Sequence, residues 1–392
     1  MGIKKLFKLP LIIIFFVTIV ILAFFFSNYR TSAVEVTGIN FIGEAILPTD
    51  TKFENTQLGG LSGITYDSQN QLYYIISDDR SQKSPARFYT FKINLNIDSF
   101  QNNDIKPVAV TTLKDKNGKT FSPGSIDPEG IALTNNSSIF VSSEGDTIAG
   151  INPFIKEFSL NSGQEISSLT VPEKYLPSQD KKRGIRNNLA FESLTITPDQ
   201  KHLFTATENA IIQDDEEAKP NQGTLCRILQ YNLITRKLEK EFLYPTERVK
   251  PFFNFNGRFA SGLSDLVALD NQGHFLSIER TFTGLGFVNS LFKISLENAD
   301  DIQNIDSLQK VDLKTIKPIN KELLLNLAKL DIALDNTEGL TIGETLANGQ
   351  PSLILVSDNN FNKLQRTQFL AFQLKIESRL ERLLRLIRDR IS

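Results

Sequence analysis

Cysteine and histidine are almost missing from these 392 residues: Cys226 stands alone, and His202 and His274 are the only imidazoles. A single thiol excludes a disulfide framework, and with no CxxC it excludes a thiolate metal centre. Cys226 reads instead as a small buried hydrophobe. Two histidines exclude a histidine-rich metal site, and zinc is disfavoured with them. A surplus of either charge is lacking too, the formal net charge being −2, which argues against nucleic acid as a partner. No G-x-S-x-G occurs, because Gly60-Leu61-Ser62-Gly63 continues with Ile64. Ser62 therefore reads as a small residue at a strand start rather than a hydrolase nucleophile. No P-loop or other nucleotide signature is present.

What is there begins with "MGIKKLFKLPLIIIFFVTIVILAFFF", where Lys4, Lys5 and Lys8 precede an apolar run from Leu9 to Phe26. That run is long enough to cross a bilayer as a helix. Arg30 interrupts the weak exit site Thr31-Ser32-Ala33, so an uncleaved signal anchor is favoured over a cleaved signal peptide. The lysines should remain cytoplasmic, leaving everything after Ser27 outside, in the periplasm or at the cell surface. At the other end, "IESRLERLLRLIRDRIS" places Ile376, Leu380, Leu383, Leu384, Ile387 and Ile391 near one face of a helix, with five arginines around the rest. It fits a helix packed on the domain or a basic helix lying on a membrane surface.

Between these ends, five segments share one form: apolar strand, polar turn, apolar strand, acid. They are "GLSGITYDSQNQLYYIISDD", "PEGIALTNNSSIFVSSEGD", "FESLTITPDQKHLFTATEN", "LSDLVALDNQGHFLSIER" and "TEGLTIGETLANGQPSLILVSDNN". They recur at steps of about 70 residues. A third strand follows each, and a fourth reads as "KPVAVTTL", "QEISSLTV", "KLEKEFLYP" and, less clearly, "SLQKVDLKT". The fifth unit lacks its fourth strand, and "VEVTGINFIGEAIL" at the start of the domain has no partner there. The expected fold is therefore all-β: a single β-propeller of five visible blades, closed by the N-terminal strand. A sixth blade stays open, because the connections around residues 171–189, 245–262 and 317–336 are long; the last contains "NKELLLNLAKLD", which reads as helical. The domains follow as an anchor over 1–33, the propeller over 34–376 and the helix over 377–392.

In a propeller, the start of each first strand and the end of each second strand are neighbours at one mouth of the channel. Glu129, Glu192, Asp265 and Glu338 lie at strand starts, and Asp78, Asp79, Glu144, Asp146, Glu208, Glu279 and Asp358 at strand ends. Arg80 and Arg280 follow their acids directly, and Arg183 and Arg186 lie in a loop placed over the same face. Both histidines follow hairpin turns and belong to the opposite face. Crowded carboxylates repel unless a cation, a proton or arginines offset them. Ca²⁺ suits such an oxygen-rich rim best, with Mg²⁺ and Mn²⁺ as further options. A phosphoester substrate suits it better than a serine hydrolase mechanism, since cations and arginines would neutralise phosphoryl oxygens.

Taken together, "GLSGITYD" with "ISDDR", "DPEGIAL" with "VSSEGD", "FESLTITPD" with "ATEN", "GLSDLVAL" with "SIERT" and "NTEGLTIGE" with "LILVSDNNF" resemble the esterase-like phytase family. It is a β-propeller group of exported and membrane-attached, mainly bacterial proteins, and the resemblance covers most of the chain beyond the anchor. It implies hydrolysis of a small-molecule ester or phosphoester, with calcium. On that basis Glu129, Glu192, Arg80 and Arg280 are the expected catalytic residues, while Arg183 and Arg186, outside the matching motifs, are expected to bind substrate from their loop over the mouth. Asp78, Glu144, Glu208, Asp265, Glu279, Glu338 and Asp358 are the expected metal ligands. Ser193 departs from the family's usual glycine after the third acid. A non-catalytic propeller that binds a ligand or protein over structural calcium is the alternative. Nothing in the sequence speaks to oligomeric state.

Overall fold

A computed structural model describes residues 34–251, 257–377 and 388. The expected anchor over 1–33 and the C-terminal helix over 377–392 lie outside them, except for Glu377 and Arg388. Among the described residues no helix is long and apolar enough to cross a membrane. The chain divides into a compact unit, Gly38–Lys375, and a smaller one of Met1–Thr37 with Ile376–Ser392. In the smaller unit the amide of Glu377 donates to the carbonyl of Glu35 at 3.1 Å.

The order of elements starts with β1 (Val36–Leu47), followed by a small hairpin of β2 (Lys52–Phe53) and β3 (Thr56–Gln57). Blade 1 is β4 (Leu61–Asp67), β5 (Leu72–Ser77), β6 (Arg87–Ile93) and β7 (Ile105–Thr112). Blade 2 is β8 (Pro128–Leu133), β9 (Ser138–Ser143), β10 (Phe154–Ser159) and β11 (Glu165–Leu169). Blade 3 is β12 (Phe191–Ile196), β13 (His202–Thr207), β14 (Leu225–Asn232) and β15 (Lys237–Pro245). Blade 4 is β16 (Ala260–Ala268), β17 (His274–Phe282), β18 (Phe287–Ser295) and β19 (Asn320–Asn326). Blade 5 is β20 (Asn336–Thr345), β21 (Pro351–Asp358) and β22 (Thr367–Ile376), with β1 as its outer strand. The propeller thus has five four-stranded blades, and the N-terminal strand closes the last of them as expected.

The fourth strand of blade 4 differs from the sequence reading. "SLQKVDLKT" forms two 3-10 turns, Leu308–Lys310 and Leu313–Thr315, and "NKELLLN" is the strand. Lys, Glu and Leu favour a helix locally. The open edge of β18 offers pairing from Ser290 to Ser295, and that tertiary gain overrides the local preference.

Each blade is twisted β-sheet built from alternating apolar residues, and the cores lie between blades. Tyr73, Ile75 and Phe91 of blade 1 pack on Ile354, Val356 and Phe369 of blade 5. Tyr74, Ile76 and Phe88 meet Ile131, Val141 and Phe158 of blade 2. Phe140 and Ile155 meet Phe191 and Leu229 of blade 3, and Phe204 and Ile228 meet Leu263 and Phe275 of blade 4. Each such side chain removed from water contributes roughly 1.5–3 kcal/mol, so blade-to-blade stacking holds the ring.

The innermost strand of every blade is bulged near its start. Pairing between first and second strands breaks at Leu61/Ile64, Pro128/Ile131, Phe191/Ser193, Leu263/Asp265 and Thr337/Gly339. A bulge kinks the strand and re-aims one side chain. Here it does so at the same place five times, beside the channel. Gly130 shows the resulting closeness: a Cβ there would sit 2.8 Å from the carbonyl of Glu192 in the next blade and 2.6 Å from Ser142 Oγ. Ser193, in the equivalent place of blade 3, is accommodated because its hydroxyl turns inward and accepts from the amide of Ala206 at 2.9 Å.

Candidate functional site

Two positions per blade form this end of the channel. The bulged positions hold Ser62, Glu129, Glu192, Ser264 and Glu338. Opposite them stand Asp78, Glu144 and Glu208, just beyond the ends of β5, β9 and β13, with Arg280 and Asp358 still paired to Gly262 and Asn336 within β17 and β21. Backbone bonds hold three of these in register: Asp78 N to Gly60 O at 2.8 Å, Glu144 N to Asp127 O at 3.0 Å and Glu208 N to Ala190 O at 2.7 Å.

The expected convergence therefore holds for most of the acids. Burial, then the charges of Glu192, Asp127, Asp78 and Glu144, pushes the Glu129 carboxyl well above its ordinary range. Glu192 is raised by burial and by Glu144, Glu208 and Glu338. Glu144 is raised by burial, Asp127 and Glu208, and Asp358 by burial, Asp78 and Glu338. Burial and Glu338 push Asp78 up to about 8. Burial carries Glu338 to about 7 although Arg280 pulls it down. Most of these groups are shut away from solvent, Glu144, Glu208 and Asp358 being 1% exposed.

Two expected ligands face elsewhere. Asp265 follows the bulged Ser264, so it points away from the axis, because successive strand residues face opposite sides. Its carboxylate accepts from the amides of Leu266 and, across the blade boundary, Leu340, both at 2.8 Å. Glu279 precedes the ring position, which Arg280 takes. Glu279 accepts instead from Lys321 Nζ at 2.7 Å, Tyr244 Oη at 2.9 Å and the amide of Glu247 at 2.8 Å.

Asp127 is a member that sequence reasoning passed over. It lies two residues before Glu129 in "DPEGIAL", and the period of a strand puts the pair on one face. Asn336 stands in the same relation to Glu338, and its amide donates to Glu338 Oε1 at 2.8 Å. Oxygens of Asp127, Glu129 and Glu144 all lie within 4.8 Å of one another, and each of the three residues is buried. Burial lifts Asp127 to about 6 against the pull of Arg80.

Both mouth arginines arrive as expected. Arg80 grips Asp127 in a fork, Nε to Oδ1 at 2.7 Å and Nη2 to Oδ2 at 2.5 Å, and also donates to Asn188. Arg280 donates to Glu208 Oε1 at 2.6 Å and Asn336 Oδ1 at 2.8 Å. Arg183 and Arg186 are engaged outside the ring. Arg183 pairs with Asp306 at 2.5 Å on the surface. Arg186 donates to the carbonyls of Ala210 at 3.0 Å and Asp215 at 2.7 Å, tying down a loop.

Even so, Glu144 Oε2, Glu192 Oε2 and Glu208 Oε2 are buried and find no hydrogen-bond partner among the described residues. Buried carboxylate oxygens left in this state cost free energy that a hard cation would offset. The donors present are all oxygens, the set that Ca²⁺ takes.

Most of the remaining landmarks fall where expected. Cys226 is buried, its thiol donating to the carbonyl of Glu208 at 3.0 Å. His202 and His274 begin β13 and β17 at the opposite face, His202 beside Glu239 at 3.2 Å and His274 beside Asp270 at 2.9 Å. Asp146, expected among the converging acids, instead accepts from the amides of Ile148 and Ala149, shaping its own loop. A cavity of about 380 Å³ opens at that far end, lined by strand residues of all five blades, among them Thr65, Leu133, Thr195, Val267 and Thr341.

A family model described as Phytase-like, esterase-like activity of phytase, matches residues 56–361. An uncharacterized secreted protein of Arthroderma benhamiae is 26% identical over 132 residues, which cover 28% of this chain and 24% of that one. The chain thus spans about a quarter of that relative's length. Among solved structures, the catalytic domain of a Coprinopsis cinerea α-L-arabinofuranosidase is 9% identical with a TM-score of 0.44, over 85% of this chain and 96% of that one. An endo-1,4-β-xylanase of Bacteroides thetaiotaomicron is 10% identical with a TM-score of 0.41, over 80% and 90%.

Proposed function

As this chain belongs to the phytase-like family described by the esterase-like activity of phytase, we propose that it is an extracytoplasmic hydrolase cleaving a phosphoester or other ester at the carboxylate end of its channel. The observation that carries the reading is the meeting of Asp127, Glu129 and Glu144, with oxygens within 4.8 Å, directly beside Arg80. These three would hold Ca²⁺, and Mg²⁺ or Mn²⁺ through the same oxygens. When bound, the cation supplies charge neutralisation, polarisation of the ester oxygen and a more acidic water.

The chain's own residues supply the rest. Glu192, whose nearest charges include Glu144 and Glu208, carries the unpartnered Oε2 that accepts a proton from water. The Arg80 side chain, 27% exposed, turns its free edge to an anionic oxygen of the substrate. Arg280 is a positioning residue, bracing Glu208 and Glu338 through its fork. The secreted relative supports a location outside the cytoplasm, and the apolar run from Leu9 to Phe26 would tether the domain to the membrane.

A second reading is favoured by the depth of the acids: Glu144, Glu208 and Asp358 at 1% exposure suit a structural ion in a propeller that only binds. The full chain, assayed on phenyl phosphate and a short acyl ester with calcium and with chelator, separates the two. Glu192→Gln should lower turnover by about 10²–10⁴-fold at unchanged melting temperature, and Glu129→Gln should lower both turnover and bound calcium. Loss of stability in both variants from a protein that turns over neither substrate would establish the binder.

A further inference from the structure

Phe361 holds a backbone conformation that its residue type avoids. It and Asn360 are consecutive in the left-handed region, with φ of 50° and 48°, where a bulky side chain is strained and glycine or asparagine is at ease. Side chains of the preceding residues enforce the turn. The amide of Asn360 donates to Asp358 Oδ1 at 2.7 Å, and that of Phe361 to Asn359 Oδ1 at 2.9 Å. The same Asn359 oxygen accepts from the amide of Gly60 at 3.1 Å, joining blade 5 to blade 1 at the mouth.

Core burial does not explain the strain, because the ring of Phe361 is only partly buried. It lies over Gly60, φ 60°, where a Cβ would stand 2.6 Å from Phe361 Cε2 and would collide with the Asp78 carboxylate. Glycine at that position therefore lets an aromatic edge reach the carboxylate ring. On the other side, the exposed ammonium of Lys83 is 5.0 Å from the ring centroid, the geometry of a cation–π pair. Strain maintained at the lip of a candidate site by an aromatic ring that stays partly exposed points to a role in recognition.

We propose that Phe361, flanked by Lys83, is the specificity-determining edge of the mouth, packing against the leaving group of an anionic ester and selecting flat apolar groups over small alkyl ones. This rests on the hydrolase reading, but its test reads binding separately from turnover. Titration calorimetry on the full calcium-loaded chain compares phenylphosphonate with methylphosphonate. Phenylphosphonate should bind about tenfold more tightly, the size of one aromatic contact. Phe361→Gly should bring the two affinities together while raising the melting temperature, since glycine relieves the left-handed strain. Phe361→Tyr should keep the preference.

A preference that survives Phe361→Gly, a fall in melting temperature in that variant, or a wild type that binds neither phosphonate overturns the inference. A phenyl preference that depends on Phe361, in a chain that turns over neither phenyl phosphate nor an acyl ester, upholds it while sinking the hydrolase reading.

Discussion

Asp78 and Asp79 are adjacent in sequence and have opposite surroundings. Asp78, partly buried, meets the charges of Glu338 and Asp127. Burial also raises Asp79, but the amides of Lys83 and Ser84 and the guanidinium of Arg87 outweigh it and hold its carboxyl below the ordinary range. Arg87 is itself fully buried, donating to Asp79 Oδ2 at 2.8 Å. Asp79→Asn should therefore cost about 3–5 kcal/mol at neutral pH, the penalty of leaving a buried cation uncompensated. A carboxyl depressed by folding contributes stability above its unfolded value, and the contribution is lost as pH falls through the folded one. In urea unfolding, the gap between Asp79→Asn and wild type should narrow below about pH 4. A gap that stays constant into acid would show that the charge on Asp79 is not what holds the loop. At this scale the sequence is only half legible. That "SDD", "SIER" and "LSD" bring charge to the mouth follows from period two. Which of two neighbours faces the channel depends on the bulge, and for that reason Arg280 and Ser264, rather than Glu279 and Asp265, complete the ring.

Among elements, the bulges at the five strand starts aim the side chains, and they tolerate little volume. Gly130→Ala should destabilise by about 1–3 kcal/mol, typical of overpacking, because its new methyl meets Leu194 Cβ at 2.7 Å as well as Glu192 O at 2.8 Å. It should also weaken calcium binding by displacing Glu129, the adjacent bulged residue, and a competition titration with a calcium chelator would register the change. Unaltered calcium affinity would mean that the bulge does not set the position of Glu129. The blades themselves were legible because turn residues and alternation repeat at a common step. The strand β19 was not, since leucine-rich segments favour helices locally and only the free edge of β18 determines otherwise. Asp127 and Asn336 were legible in principle, through the two-residue spacing to Glu129 and Glu338.

For the whole molecule, the gathered carboxylates couple folding to the binding of protons. Without a cation, burial and mutual repulsion carry Asp127 to about 6, Glu338 to about 7 and Asp78 to about 8. The folded chain then binds more protons than the unfolded chain between the ordinary carboxylate range and these values, so stability falls as pH rises across that window. Melting temperature in chelator should decline from about pH 5 to about pH 8, and calcium should flatten or reverse the slope by replacing the protons. Equal curves with and without calcium would remove the cation from this account.

The pairing of β1 with β22 has a temporal consequence. The first strand to be synthesised is the last to find its neighbour, which does not exist until Thr367–Ile376 has emerged. Four blades can assemble in order behind the advancing chain, while Val36–Leu47 waits without its strand partner. The ring thus stays unsealed until the strands of its fifth blade have been made, and the waiting segment needs shielding throughout that interval.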